Sequence, residues 1–281
     1  MKNISKSYIG QNLPGITIKE MKQQARYNEF YCYCLAFCYE NGVKVRYIDL
    51  QEAYYWLNFS INEHKSLWAY SRLALYYFNG WVVEQDYTTA FKMWQTCSEE
   101  IDEDLCKREM NIWYDKIHPI TKEVYENSTY ALGYCYMNGL GIDKDMEAAI
   151  MYFEKSLNIR NRKTLIALIH IYSNGIGVPK DNNRAFWYRI CLCDSKLATD
   201  EDFLNIAACY QHGIGTRKDY KKGFEYLKKA ADMNNIEANH LVSRCYAEGL
   251  GVAQDIEKAT LYLSRALRLN QQLNNLKINY E

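Results

Sequence analysis

The chain has 281 residues, of which 48% are hydrophobic, and it contains only 3 prolines and 14 glycines. This composition excludes general disorder and favours long helices over a loop-rich β fold. The 34 basic and 34 acidic residues balance, so no overall field favours a nucleic acid, and we expect no nucleic-acid partner.

Residues 1–27 come first in the chain, and we interpret them as an N-terminal capping segment. Their opening sequence, MKNISKSYIGQNLPG, lacks the apolar stretch of a signal peptide. No run elsewhere approaches the roughly 18 apolar residues that a membrane helix needs. We therefore expect a cytoplasmic protein that binds no membrane and keeps its cysteines reduced.

From residue 28 onwards the sequence repeats itself, and the period in its C-terminal half is 36 to 38 residues. Two weaker copies occupy residues 28–98, and four stronger copies occupy residues 128–268. The glycines that anchor the copies are Gly42, Gly80, Gly139, Gly175, Gly213 and Gly249. A period of this length is typical of stacked helical hairpins, which must pack on one another because one hairpin cannot bury its own apolar stripe.

The third copy shows the physical logic of one unit. Tyr136 stands three residues before the anchor glycine, and a second glycine, Gly141, stands two residues after it. The anchor adopts the left-handed conformation that ends a first helix. Asp145 then caps a second helix, on which Tyr152 follows. The second copy departs from this pattern, because Val82 replaces its second glycine.

Residues 99–127 interrupt the repeat, since the anchors on either side are 59 residues apart. The segment starts with an acidic run, which we interpret as a solvated face or linker rather than as paired carboxylates for acid–base chemistry. We predict an irregular helical insertion that lengthens one helix and adds another. A C-terminal tail at residues 269–281 follows the last repeat.

The repeated pattern resembles the Sel1-like repeat family, a relative of the tetratricopeptide repeats. The best copy reads LGYCYMNGLGIDKDMEAAIMYFEK, from Leu132 to Lys155, and the last copy reads VSRCYAEGLGVAQDIEKATLYLSRA. The resemblance implies an all-α fold, a right-handed superhelical solenoid of about six helix-turn-helix repeats whose first helices line the concave face. Family members are mostly interaction scaffolds, among them adaptors, signalling regulators and immunity proteins that neutralise a toxin.

Ten cysteines raise the question of a metal site. The cysteines that stand four residues before an anchor glycine are Cys38, Cys135, Cys209 and Cys245. Their equivalent places indicate small packing side chains. The C-x-C pairs at residues 32–34 and 191–193 point their thiols about 200° apart on a helix, and no histidine stands at a zinc-like spacing. We predict structural thiols, no metal and no cofactor.

No catalytic motif is present in the sequence. The chain contains neither S-x-x-K nor G-x-S-x-G, and its five histidines lack the H-E-x-x-H spacing. The recurrent G-x-G follows a helix and lacks the third glycine of a dinucleotide loop. We predict no catalytic residues and a protein that is not an enzyme. The alternative is a small-molecule hydrolase or β-lactam-binding protein of the Sel1-like type.

Side chains nine, five and two residues before each anchor glycine are expected to point into the groove formed by the first helices, with Trp68 at its rim. The predicted partner-binding residues are Tyr33, Phe37, Trp68, Leu75, Phe78, Tyr130, Tyr134, Met137, His170, His240 and Arg244. Aromatic rings and arginine dominate interface energies, so we predict a scaffold that binds a protein or peptide there, as an immunity, regulatory or adaptor protein. The alternatives are that the rings pack against neighbouring repeats and that His170 and His240 belong to an ordinary solvated surface. A basic cluster at residues 217–229 is interpreted as a solvated face rather than a site for an acidic partner.

Overall fold

The structure is a computed structural model that describes residues 15–101, 119–157, 162–195 and 197–278. In these residues the chain forms thirteen helices and no strand. The helices are α1 (Ile18–Gln24), α2 (Glu29–Asn41), α3 (Leu50–His64), α4 (Leu67–Asn79), α5 (Tyr87–Glu100), α6 (Pro119–Asn138), α7 (Met146–Ser156), α8 (Arg162–Asn174), α9 (Asn182–Cys193), α10 (Asp200–His212), α11 (Tyr220–Asp232), α12 (Ile236–Glu248) and α13 (Ile256–Ile278). The prediction of an all-α fold of about six repeats is confirmed.

The chain divides into two compact units, Met1–Ile159 and Arg160–Glu281. In the first unit, α1 precedes three hairpins, in which α2 packs on α3, α4 on α5, and α6 on α7. In the second unit, α8 packs on α9, α10 on α11, and α12 on α13. Each copy of the sequence repeat therefore forms one hairpin.

The segments outside the repeats are described in part. Helix α1 lies in the described part of the predicted capping segment. At the start of this helix, the Thr17 backbone N–H donates to the Glu20 carboxylate at 2.7 Å. Helix α6 has 20 residues, against 13 in α2 and in α4. The further helix predicted in the insertion falls on residues 102–118, which lie outside the described ranges. The predicted tail continues α13 as far as Ile278.

Each hairpin turns at its anchor glycine. In the last hairpin, Gly249 has a φ of 71°, in the left-handed region that glycine adopts without strain. The Leu250 N–H donates to the Cys245 carbonyl at 2.9 Å, and the Asp255 N–H donates to the Tyr246 carbonyl at 2.9 Å. The same two bonds recur in all six hairpins. They explain why tyrosine, glycine and aspartate stand at fixed distances along the sequence.

The two tyrosines of the repeat stack inside their hairpin. The rings of Tyr246 and Tyr262 have centroids 5.8 Å apart and planes inclined by 24°. The Lys258 ammonium lies 5.6 Å from the Tyr246 ring centroid, within the range of a cation–π interaction. The equivalent stacked pairs in the three preceding hairpins are Tyr136 with Tyr152, Tyr172 with Tyr188, and Tyr210 with Tyr226.

Neighbouring hairpins within a unit meet through two recurrent contacts. The second glycine of one turn lies against the start of the preceding repeat's second helix. A Cβ atom on Gly251 would overlap the Tyr220 carbonyl and lie 2.8 Å from the Lys221 nitrogen. The corresponding pairs are Gly141 with Tyr87 and Gly215 with Asn182. The other contact is an aromatic edge, in which Phe224 meets the Tyr246 ring at 5.2 Å and 84°. Phe91 with Tyr136 and Phe186 with Tyr210 repeat it.

Val82 takes the place of the second glycine in the second hairpin. Its φ is 68°, so the backbone keeps the left-handed conformation of the repeat although a β-branched residue disfavours it. The hairpin geometry therefore prevails over the local preference of valine. The side chain is half-buried against the core of the first unit.

We expect Val82→Gly to raise the free energy of unfolding by about 1 kcal/mol, because the relief of left-handed strain exceeds the loss of a half-buried side chain. Urea unfolding of the purified chain measures this change. Val83→Gly is the matched control, since Val83 is also half-buried against the core but its φ is not positive, so the substitution relieves no left-handed strain and should lower the free energy of unfolding. A lower urea midpoint for Val82→Gly than for the wild type would contradict the expectation.

Candidate partner-binding surface

Two of the predicted groove residues are buried within the first unit. Tyr33 of α2 and Trp68 of α4 are 9% and 8% exposed. Their rings meet edge to face with centroids 4.7 Å apart. They fill the contact between two first helices, so little of either ring is left for a partner. For these two residues the structure agrees with the alternative of packing between repeats.

Three other predicted residues, Phe78, Tyr130 and Tyr134, come together as one group of rings, which we call the aromatic patch. The Tyr134 ring centroid lies 6.3 Å from that of Phe78 and 6.5 Å from that of Tyr130. Tyr134 is 37% exposed, while Phe78 and Tyr130 are half-buried. The patch joins α4 to α6, two successive first helices of the first unit.

Buried rings of the second helices support the aromatic patch from below. Phe78 lies 5.5 Å from Trp94 of α5, and Tyr130 lies 5.8 Å from Phe153 of α7. Trp94 is itself held in place, because its indole N–H donates to the Ser71 carbonyl at 3.2 Å. The patch therefore rests on ordered core side chains.

Gly133 has no side chain, and α6 therefore packs close to α7 beneath the aromatic patch. A Cβ atom there would lie 2.7 Å from the Phe153 ring and 3.1 Å from the Ala149 carbonyl. This close approach places Phe153 directly under α6, one turn from Tyr130. The position of the patch thus depends on a glycine that does not belong to the turn.

The aromatic patch is uncharged at neutral pH. Burial raises the pKa of Tyr130, and the neighbouring Tyr134 hydroxyl raises it further. The ring of Phe78 carries no ionisable group. A surface of three aromatic rings suits an uncharged side chain or a cation that stacks on a ring.

The remaining residues predicted in the first unit are half-buried. Phe37 lies on α2, Leu75 on α4 and Met137 on α6, at five, five and two residues before their anchors. Each keeps part of its surface accessible. They extend the apolar character of the first helices beyond the patch.

The residues predicted in the second unit are exposed and polar. His170 lies on α8, and His240 and Arg244 lie on α12. The Arg244 Nε is 3.8 Å from a carboxylate oxygen of Glu248, and both side chains are more than half exposed. An ion pair of this kind contributes little to stability, so Arg244 is available to a partner.

A buried ion pair between α2 and α4 was missed from the sequence. The Arg72 Nε donates to both carboxylate oxygens of Glu40 at 3.0 Å, and the Tyr76 hydroxyl donates to the same carboxylate at 3.0 Å. The Glu40 side chain is only 7% exposed. An acidic residue on an otherwise apolar helix face was the signal that could have indicated it.

A similar pair joins α8 to α10 in the second unit, where the Arg162 guanidinium donates to the Asp202 carboxylate. Burial raises the pKa of Asp202, but hydrogen bonds from Arg162 and Thr199 outweigh burial and hold that pKa below its usual range. The pair therefore stabilises the second unit at neutral pH. This contribution is lost as the pH falls through the folded-state pKa of Asp202.

Two lysines of the basic cluster at residues 217–229 cover tyrosine rings of their own repeat. Lys222 lies 5.5 Å from the Tyr210 ring centroid, and Lys229 lies 4.7 Å from that of Tyr226. These contacts give both lysines a role within the hairpin. They support the interpretation of the cluster as a surface face of the repeat.

None of the nine cysteines in the described residues forms a disulfide, and Cys106 lies outside the described ranges. Burial raises the pKa of Cys32 to about 11 and that of Cys34 to about 12. Burial likewise raises the pKa of Cys135 to about 12. Thiols of this kind stay protonated at neutral pH, and they pack as small apolar side chains.

Within the described ranges, no three histidine, cysteine, aspartate or glutamate side chains lie close enough to hold a metal ion. Among the helices that the structure describes, none combines the length and the apolar character needed to cross a bilayer.

The comparisons with known proteins agree on the repeat. The family model described as Sel1 repeat matches residues 31–62, 69–96, 127–158, 165–188, 204–235 and 236–271, more than half of the chain. A Sel1 repeat protein from Oxalobacter formigenes has a similar solved structure, with 18% identity and a TM-score of 0.60 over 86% of this chain and 85% of that one. At this identity the likeness shows the fold alone.

A second solved structure is a protective antigen from uropathogenic Escherichia coli strains that displays an SLR fold. It shows 19% identity and a TM-score of 0.47 over 90% of this chain and 56% of that one. A comparison with curated proteins finds no match. The six matched segments coincide with the six hairpins, and this chain belongs to the Sel1 repeat family.

Proposed function

We propose that the protein is a scaffold that binds a protein or peptide partner on the first helices of its first unit, with the aromatic patch as the anchor. Sel1 repeat proteins are generally protein-interaction scaffolds. The observation that carries the proposal is the accessible ring of Tyr134, held between Phe78 and Tyr130. A scaffold of this kind acts as an adaptor or regulator, because it occupies a surface of its partner.

Pre-organisation of the aromatic patch supports this proposal. Tyrosine rings offer a large contact area and lose few rotatable bonds on binding. Trp94 and Phe153 fix the rings from below, so a partner meets a surface that is already ordered. Binding to such a surface costs less conformational entropy than binding to mobile side chains.

The chemistry of the patch defines the side chain that it accepts. Its rings are uncharged, and the Tyr134 hydroxyl can donate or accept a hydrogen bond. An apolar or aromatic side chain fits through burial of apolar surface. An arginine also fits, through stacking on a tyrosine face. An acidic side chain gains only a hydrogen bond from the Tyr134 hydroxyl.

We expect Phe78→Ala combined with Tyr134→Ala to weaken binding of the partner at least about tenfold, because truncation of interface aromatics typically costs 1 kcal/mol or more each. A partner isolated on the immobilised chain supplies the ligand, and isothermal titration calorimetry measures its dissociation constant. Tyr134→Ala alone, at an exposed position, tests the same surface without disturbing the contact of Phe78 with Trp94.

Trp187→Ala provides the matched control for this experiment. Trp187 is an exposed aromatic residue on α9, a second helix of the other unit. Its replacement should leave the dissociation constant unchanged. A partner that binds the double variant as tightly as the wild type, with both proteins folded, would exclude the aromatic patch as the anchor.

A further inference from the structure

The last helix carries an uncovered stripe that the partner-binding surface does not use. Exposed residues recur along α13 at intervals of four and three, and Leu267 among them is 53% exposed. The members of this stripe, which we call the terminal stripe, are Ile256, Thr260, Leu263, Leu267, Asn270 and Asn274. All six side chains are exposed, and none carries a charge.

The same face is covered in the preceding repeat. Phe224, Leu227 and Ala231 of α11 occupy the positions equivalent to Thr260, Leu263 and Leu267, each 36 residues earlier. All three are buried, and α11 packs there against α12. The terminal stripe is therefore the stacking face of the repeat, uncovered on α13.

Two differences in sequence between α13 and α11 make this face unsuited to another repeat of the same kind. Thr260 stands where Phe224 supplies the edge contact to Tyr246 of the following hairpin. Leu267 stands where Ala231 provides the small side chain that lets the following helix approach. A further Sel1 hairpin would lose its aromatic contact and meet a leucine in place of an alanine. A helix that packs on the terminal stripe would therefore need a surface that differs from that of a Sel1 first helix.

We propose that the terminal stripe binds the terminal stripe of a second copy of this chain, with the two α13 helices antiparallel. A two-fold axis next to Arg265 places Leu263 of each copy against Leu267 of the other. Thr260 then faces Asn270 of the other copy, where a hydroxyl can meet an amide. The spacing of four and three is the spacing by which two helices interlock side by side. On either side of the axis, leucine thus meets leucine and threonine meets asparagine, while Ile256 lies opposite Asn274 at each end of the stripe.

The length and charge of α13 support a second copy as the occupant. The helix has 23 residues, against 13 in its hairpin partner α12, so its last turns extend beyond the hairpin. In an antiparallel pair this extension covers the first turns of the other α13, and the stripe spans about 27 Å. Because the stripe is uncharged, no like charges oppose one another, whereas a charged partner would find no complementary group.

Sedimentation equilibrium of the 281-residue chain tests this proposal. We expect self-association with a dissociation constant on the order of 10 μM, since one helix pair forms an interface at the small end of the specific range. Leu263→Glu should weaken association at least about tenfold, because each copy would bury an unpaired carboxylate against a leucine. Leu263 is exposed in one copy, so its replacement does not disturb the fold.

Leu261→Glu is the matched control, on the same helix and 64% exposed but outside the terminal stripe. It should leave association unchanged. Leu263→Glu combined with Leu267→Lys should restore association, because the antiparallel arrangement pairs each new acid with a new base. A monomeric wild type at about 100 μM would overturn the proposal. An equal loss from Leu261→Glu, or no restoration by the double variant, would overturn it as well.

Discussion

Gly251→Ala is expected to lower the free energy of unfolding by about 3 kcal/mol, which combines left-handed backbone strain with overpacking. The added methyl group would overlap the Tyr220 carbonyl and crowd the Lys221 nitrogen. Both obstacles are backbone atoms at the start of α11, so neither can turn aside as a side chain would. Urea unfolding followed by far-ultraviolet circular dichroism measures the change.

Gly249→Ala separates the effect of left-handed backbone strain from the effect of overpacking. Gly249 has a φ of 71°, close to the 73° of Gly251, but a Cβ atom there would find its nearest neighbour, the Val252 carbonyl, at an ordinary 3.6 Å. We expect a loss of only about 1 kcal/mol from backbone strain. Equal losses for the two variants would show that the contact with the preceding repeat contributes nothing.

Glu40→Gln is expected to destabilise the first unit by about 3 kcal/mol, because it removes the charge of the buried carboxylate that pairs with the Arg72 guanidinium in the contact between α2 and α4. The amide can accept from Arg72 or from Tyr76, but it carries no charge to balance the guanidinium. Urea unfolding again supplies the measurement, with hydrogen exchange of the α2 and α4 amides to locate the effect.

Glu52→Gln serves as the control for this prediction. Glu52 pairs with Lys22 at 3.1 Å, but both side chains are more than a third exposed, so its loss should cost at most about 1 kcal/mol. Similar losses for Glu40→Gln and Glu52→Gln would mean that burial of the Glu40 pair does not strengthen it.

The repeat itself could be predicted from the sequence because its residues act locally. Gly249 ends a helix, Asp255 caps the next, and the backbone bond from Asp255 to Tyr246 closes the turn. Each of these effects acts between residues that are at most about ten positions apart, so it appears in the sequence as a fixed spacing. The number of hairpins and their order follow directly from that spacing.

Contacts between repeats were harder to predict, because the spacing does not show which residues meet. Tyr33 and Tyr130 both stand nine residues before their anchors, yet Tyr33 is buried against Trp68 whereas Tyr130 keeps part of its surface accessible. The two residues differ in exposure because Trp68 of the neighbouring first helix packs against the Tyr33 ring. The Glu40 pair was missed for the same reason, since its partner lies on another helix.

Val82 shows the opposite case, in which a departure in sequence leaves the structure unchanged. The valine keeps the left-handed φ of 68° that glycine would adopt, because the bonds on either side of the turn determine the backbone. The Asp86 N–H still donates to the Tyr77 carbonyl at 2.9 Å.

Site-specific photo-crosslinking tests the central claim most directly. A photoreactive phenylalanine analogue at position 134, on first helix α6, should yield an adduct with the bound partner. The same analogue in place of Tyr55, an exposed ring on second helix α3, should yield none. An adduct at position 55 and none at position 134 would contradict the account, since the partner would then bind the second helices.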